Sequence, residues 1–150
     1  MIDDASAPPR LPLLVAVTGH RDLVTEELPG IRAAVTRCLT ELISRYPERE
    51  VVVMTALAAG ADQLAAEGAH QAGGGVIAVL PMDTQNDRCD CPTPDELAAF
   101  DSRLAAADGV VELPPASNSE ITTAGPARDA QYARLGVFLA AHCHVLIAMW

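Results

Sequence analysis

The sequence predicts an α/β fold, a Rossmann-like doubly wound sheet of about five parallel strands flanked by helices. Three observations lead there. Short apolar or β-branched runs alternate with longer segments whose apolar residues recur every three or four positions, which is the rhythm of βαβ units. The second of these runs, 51–56, is continuous in its hydrophobicity, as strands covered on both faces are. Half the residues are hydrophobic but only 3% are aromatic, so Ala, Val, Leu and Ile must fill a core of helices packed closely on a sheet.

Residues 1–12, with Asp3, Asp4, Ser6 and three prolines, read as a flexible tail. Residues 13–150 read as one domain, as a length of 150 residues suggests. The first strand is 13–18. Leu28, Ile31, Val35, Leu39, Leu42, Ile43 and Tyr46 then form one apolar helix face that Pro47 ends; Thr25 with Glu26 and Glu27 is a candidate cap and Pro29 a first-turn residue. A second strand, 51–56, is hydrophobic enough to be central, and a helix over 60–72 packs through Leu64, Ala65, Gly68, Ala69 and Ala72. Gly73-Gly74-Gly75 turns the chain into a third strand, 76–80, stopped by Pro81. Residues 81–94 read as an irregular loop. Thr93 or Asp95 then caps a helix through Leu97, Phe100 and Leu104, followed by a fourth strand at 109–113. After a second irregular stretch, 114–125, a helix over 126–142 turns Tyr132, Leu135, Leu139 and Ala140 inward, and 145–150 is a fifth strand. A central parallel strand requires neighbours and cover on both faces. The expectation is therefore a domain truncated at its C-terminus, or one in which a partner, such as a second copy in a homodimer, covers 145–150.

A net charge of −10, with ten Arg and no Lys, excludes a general nucleic-acid surface. A few Arg converging on one small anion remain compatible with it. Neither a secretory leader nor an 18-residue apolar span is present, so no membrane partner is expected and the cytoplasm is the default. Cys38 and Cys143 read as small core residues and the pair Cys89 and Cys91 as exposed thiols. No metal site is expected, because Cys89-x-Cys91 has a one-residue gap where structural zinc sites space their ligands by two to four.

Chemistry is expected at the carboxyl ends of the strands, where open parallel sheets hold their ligands. Thr18-Gly19-His20-Arg21 places a flexible turn, an imidazole and a permanent cation directly after the first strand. Gly60-Ala61-Asp62 opens the helix after the second strand, where free backbone N–H groups suit an anion, although Gly60 also suits helix–sheet packing and Asp62 a helix cap. Arg128 and Tyr132 share one face near the start of the last long helix. A cation in a first turn opposes the helix dipole unless an anion is near, either a ligand or a carboxylate such as Asp129. His20 suits stacking on a base, bonding a ribose hydroxyl or capping the strand. No nucleophile elbow, Walker A loop or three-glycine dinucleotide fingerprint occurs, and Glu67 and Glu112 lack an evident partner.

The blocks Val17-Thr18-Gly19-His20-Arg21, residues 55–66 around Gly60-Ala61-Asp62, Ala78-Val79-Leu80-Pro81, Arg128-Asp129-Ala130-Gln131-Tyr132 and residues 145–150 resemble the SLOG superfamily. This Rossmann-like group includes the Lonely Guy phosphoribohydrolases, DNA-processing proteins and bacterial sensor domains. The resemblance implies that Gly19, Arg21, Gly60, Asp62 and Pro81 line a pocket for a nucleotide or nucleotide-derived molecule. It also implies a Gly-Gly-Thr phosphate loop and a further helix after the strand corresponding to 145–150, and these are missing here. The expected function is therefore binding or sensing of a nucleotide-type ligand, of ADP-ribose or dinucleotide kind, with no cofactor and no catalytic residue assigned. Arg21 and Arg128 would neutralise phosphate and Asp62 would bond a ribose hydroxyl. The alternatives are a nucleotide N-glycosidase of Lonely Guy type and an interaction module with a vestigial pocket.

Overall fold

The computed structural model describes residues 10–116 and 124–150. The chain runs β1 (Leu13–Gly19), α1 (Leu28–Arg45), β2 (Val51–Thr55), α2 (Ala61–Ala72), β3 (Gly75–Leu80), α3 (Thr84–Arg88), α4 (Pro94–Ala106), β4 (Gly109–Glu112), α5 (Pro126–His142) and β5 (Val145–Met149). All five strands are parallel, in the order β4-β3-β2-β1-β5. The order steps back from β4 to β1 and then jumps to β5, so the reversal that opens a crevice beyond the strand ends lies at β1.

Side-chain alternation along the strands separates two apolar layers. Leu13, Val15 and Val17 of β1 join Val53 of β2 and Ala78 and Leu80 of β3 on one face, under Val35 and Leu39 of α1, Ala65 and Ala69 of α2 and Phe100 of α4. On the other face Ala16, Met54 and Val79 lie under Leu135 and Leu139 of α5. Every residue of β2 is buried, as its unbroken hydrophobicity predicts for a central strand. β5 departs from the expectation of a central strand. It pairs with β1 alone among the described strands, and exposure alternates along it, with Leu146 51% exposed.

The helix ends show which local signals governed. Thr25 does not cap α1: residues Thr25–Glu27 form one 3₁₀ turn, and Pro29 sits in the first turn of the helix that follows. Thr93 caps α4 in a full capping box with Glu96. Gly73 closes α2 in the left-handed region at φ 85°, and Gly75 already belongs to β3 rather than to the turn.

Residues 81–94 are not wholly irregular. Asp83 accepts a hydrogen bond from the backbone N–H of Asn86 at 3.1 Å and starts the short helix α3. Leu135 and Leu139 of α5 face inward as expected, but Ala140 is exposed; the inward positions near the start of α5 are Arg128 and Gln131. Of the stretch expected to be irregular at 114–125, residues 117–123 lie outside the described residues. Glu67 does have partners: it joins α1 and α4 to α2 through Arg32 and through Arg103 at 2.9 Å. Burial acts to raise its carboxyl, but the two arginines outweigh that and hold it below the usual value.

A close backbone approach joins the turns after β1 and before α2. Gly60 has φ 80°, and a Cβ there would lie 2.3 Å from the Arg21 carbonyl oxygen and 2.4 Å from that of His20. Gly19 is equally confined, its absent Cβ falling 2.4 Å from the Met149 carbonyl and 2.5 Å from the Ala61 side chain. Gly136, exposed on α5, has open space around it. Two substitutions to alanine should therefore act with opposite sign in urea denaturation. Gly60→Ala should destabilise by more than about 1 kcal/mol, through both clash and backbone strain. Gly136→Ala should stabilise by about 0.5–1 kcal/mol through helix propensity.

Candidate functional site

A cavity of about 400 Å³ opens at the carboxyl ends of the strands. Its walls are Arg21 and Asp22 after β1, residues 56–59 after β2, residues of α3 and the segment behind it up to Pro92, and Glu96 and Phe100 of α4. Tyr132 of α5 closes one side and lines an adjoining space of about 310 Å³ that reaches Gly125, Arg128 and Asp129 at the start of α5. A wider depression of about 840 Å³ runs along the outside of α1, away from the strand ends.

The wall after β2 is held from within the fold. Leu57 is buried and takes φ 59°, an uncommon backbone state for a bulky side chain. Its N–H donates to the Thr55 hydroxyl at 3.2 Å, and the N–H of Ala56 donates to Asp62 Oδ2 at 3.1 Å. Burial pushes the Asp62 carboxyl up to about 6, against the opposing pull of hydrogen bonds from the Ala58 and Ala56 backbone and the Thr55 side chain and of the nearby Arg21 charge. Asp62 thus fastens the loop that shapes the cavity. It does not cap α2, whose N-cap is Gly60.

The expected anion cradle before α2 is partly occupied by the protein itself. The N–H of Ala61 donates to the His20 carbonyl at 3.1 Å, and the N–H of His20 donates to the Met149 carbonyl at 3.0 Å. Gly19, Gly60 and Ala61 therefore form a junction between the turns, and the Thr18 and His20 side chains are exposed outside the lining of the cavity. Pro81 is fully buried, and its carbonyl accepts from Gln131 Nε2 at 2.6 Å. The same Nε2 bonds the Pro114 carbonyl at 3.2 Å, so Gln131 ties the ends of β3 and β4 to α5. Pro81 does not line the cavity.

Arg128 lies where an anion is needed, and Asp90 supplies it. The guanidinium side chain is 4% exposed, with Nη2 2.8 Å from Asp90 Oδ2 and Nε 3.1 Å from Oδ1. Nη2 also donates to the Asn86 carbonyl at 2.8 Å. Burial disfavours the cation, but the Asp90 carboxylate outweighs it and lifts the Arg128 pKa further. The Tyr132 hydroxyl donates to the same carboxylate. Burial, that bond and the charges of Asp87 and Asp90 push the phenol well above its usual value, so it stays protonated. The conflict with the helix dipole read from the sequence is thus met by a carboxylate, one from the loop after α3 instead of Asp129.

Arg21 differs from Arg128. It is exposed on the cavity wall, and no carboxylate lies within 4 Å of it among the described residues. Opposite in charge is Asp87, which sequence reasoning missed. It lines the cavity, is 7% exposed, and its carboxyl has no hydrogen-bond partner among the described residues. Burial raises its pKa to about 7, helped by Asp90 and Asp83 and opposed by Arg128 and Arg21. Cys91, half-buried on the same wall, has its thiol pushed up by burial and by the neighbouring Asp87 and Glu96 charges, which argues against a reactive thiolate.

No family model matches the sequence, and no curated protein matches it significantly. Among solved structures, DNA processing protein A from Streptococcus pneumoniae is similar over 92% of this chain, with a TM-score of 0.58 and 20% identity. The likeness is one of fold, an all-parallel Rossmann-like α/β sheet flanked by helices. The chain spans 41% of the length of that protein. The Moco carrier protein of Chlamydomonas rheinhardtii is also similar, at a TM-score of 0.44 and 20% identity over 94% of this chain and 78% of that one. No helix of the described residues is long and apolar enough to cross a membrane.

Asp87 has a measurable consequence for stability. An acid whose pKa rises on folding, here from about 4 to about 7, holds a proton that the unfolded chain has released. Its stabilising share is complete below about pH 4 and is lost as pH rises through 7. Wild-type protein should therefore lose melting temperature relative to Asp87→Asn between pH 5 and pH 8 in scanning calorimetry. Asp62, raised to about 6, acts in the same direction in both proteins and cancels.

Proposed function

We propose that this chain is a binding or sensing domain for a small nucleotide-type ligand, seated in the cavity at the carboxyl ends of β1, β2 and β3. The observation that carries the reading is Arg21, an exposed cation on the cavity wall without an ion-pair partner among the described residues. A guanidinium so placed suits a phosphate, which it can grip with two parallel hydrogen bonds.

The lining narrows the ligand. Arg21 faces a cavity that also holds Asp22, Asp87, Asp90 and Glu96, and Arg128 is already paired. A chain of several phosphates would meet more negative than positive charge. A volume of about 400 Å³ is at the small end of ligand sites. Both points favour a mononucleotide or a ribose phosphate over a dinucleotide. The overall charge of −10 likewise disfavours an extended nucleic acid.

Arg21→Ala should weaken binding of nucleoside monophosphates at least tenfold in titration calorimetry while leaving the melting temperature of the free protein unchanged. Equal affinity of the two proteins would remove Arg21 from the site, and a wild-type protein that binds no nucleotide at millimolar concentration would defeat the reading as a whole.

A further inference from the structure

The short helix α3 is anchored on every side. Asp83 caps it, the Thr84 N–H donates to Glu112 at 2.9 Å, Arg88 pairs with Asp101 of α4 at 2.8 Å, and the Asn86 carbonyl accepts from Arg128 of α5. Polar side chains and main-chain groups around Asp87 thus have partners, and among the described residues the Asp87 carboxyl has no hydrogen-bond donor. It is 7% exposed, and it lines the same cavity as Arg21. A carboxyl held on the cavity lining by its surroundings, with no protein donor of its own among the described residues, is left open to donors that enter the cavity. The other acid expected to hold a ligand hydroxyl, Asp62, is committed to the backbone after β2.

We infer that Asp87 is the specificity-determining group of the cavity, accepting hydrogen bonds from a pair of adjacent donors on the ligand. This rests on the proposed nucleotide reading and sharpens it: Arg21 takes the phosphate at the exposed rim and Asp87 the donor pair at the buried end. Two parts of a nucleotide offer that chemistry to one carboxylate, the vicinal hydroxyls of ribose and the N1–H and N2 amino edge of guanine. Leu57 and Phe100, on the lining of the same cavity, are apolar elements against which a sugar or base would lie. A site that bonds such donors discriminates strongly against analogues lacking one, since the carboxyl is then left unpaired again.

The test is titration calorimetry of the whole chain with AMP, 2′-deoxy-AMP, GMP and IMP, on wild type, Arg21→Ala and Asp87→Asn, with thermal melts to establish that each variant is folded. Wild type should prefer AMP over 2′-deoxy-AMP at least tenfold if ribose is the source of the donor pair, or GMP over IMP at least tenfold if guanine is. In Asp87→Asn that preference should shrink to within twofold, while Arg21→Ala should weaken all four ligands alike. Asp87→Ser serves as a second variant should the Asn protein fail to fold. Discrimination that persists in the Asp87 variant, or its absence from wild type while Arg21→Ala still weakens binding, overturns the role of Asp87 and leaves the nucleotide reading standing. No binding of any of the four to wild type overturns both.

Discussion

The contact on which the rest of this structure depends is between two stretches of backbone, the His20–Arg21 turn and the first residues of α2. Gly60 lies against the His20 and Arg21 carbonyls, and the Ala61 N–H is bonded to His20. Since Gly19 stands against both Met149 and Ala61, one junction fixes the ends of β1 and β5 and the start of α2 together. A side chain on either glycine would separate them. The arrangement also sets where the Arg21 side chain leaves the backbone. A local requirement for missing Cβ atoms thus becomes the geometry of a cavity wall.

The second support is the buried pairing of Arg128 with Asp90. Taking two charges out of water is costly, and a pair of this kind is weak evidence for net stability. Its contribution here is positional. Through Asp90, Asn86 and Tyr132 it joins the start of α5 to α3, and Gln131, one helical turn further on, joins α5 to the carbonyls after β3 and β4. These polar groups occupy the inward positions where an apolar stripe is expected on α5. They also separate the two arginines of the region into different tasks, Arg128 inside the fold and Arg21 at its rim.

Much of the architecture was legible because strands and long helices announce themselves by period. The continuous run at β2 and the apolar stripe on α1 needed no tertiary information, whereas the choice of Thr93 over Asp95 as the cap of α4 came with the structure. The helix α3 was hidden because one turn of Thr, Gln, Asn, Asp and Arg has no apolar rhythm, although Asp83 ahead of it carried a cap signal. Asp87 was hidden for a deeper reason. Asp83, Asp87 and Asp90 look alike in sequence, and only the chain folded around them makes one exposed and capping, one paired and one buried without a partner. In the same way, the glycines and Asp62 were legible as important, while their work, packing backbone on backbone and fastening a loop, became apparent only from what surrounds them.

The unequal cover of the sheet has its own consequence. One face lies under α1, α2 and α4, and the other, among the described residues, under α5, beside a β5 whose second edge has no neighbour among the described strands. Local opening has its lowest cost where few contacts must be broken, so the α5–β5 side should exchange its amide protons sooner than the buried ladder of β2. Arg128, Gln131 and Tyr132 all ride on that more easily opened side. A molecule seated against Tyr132 would therefore act as a clasp on the less covered half of the protein.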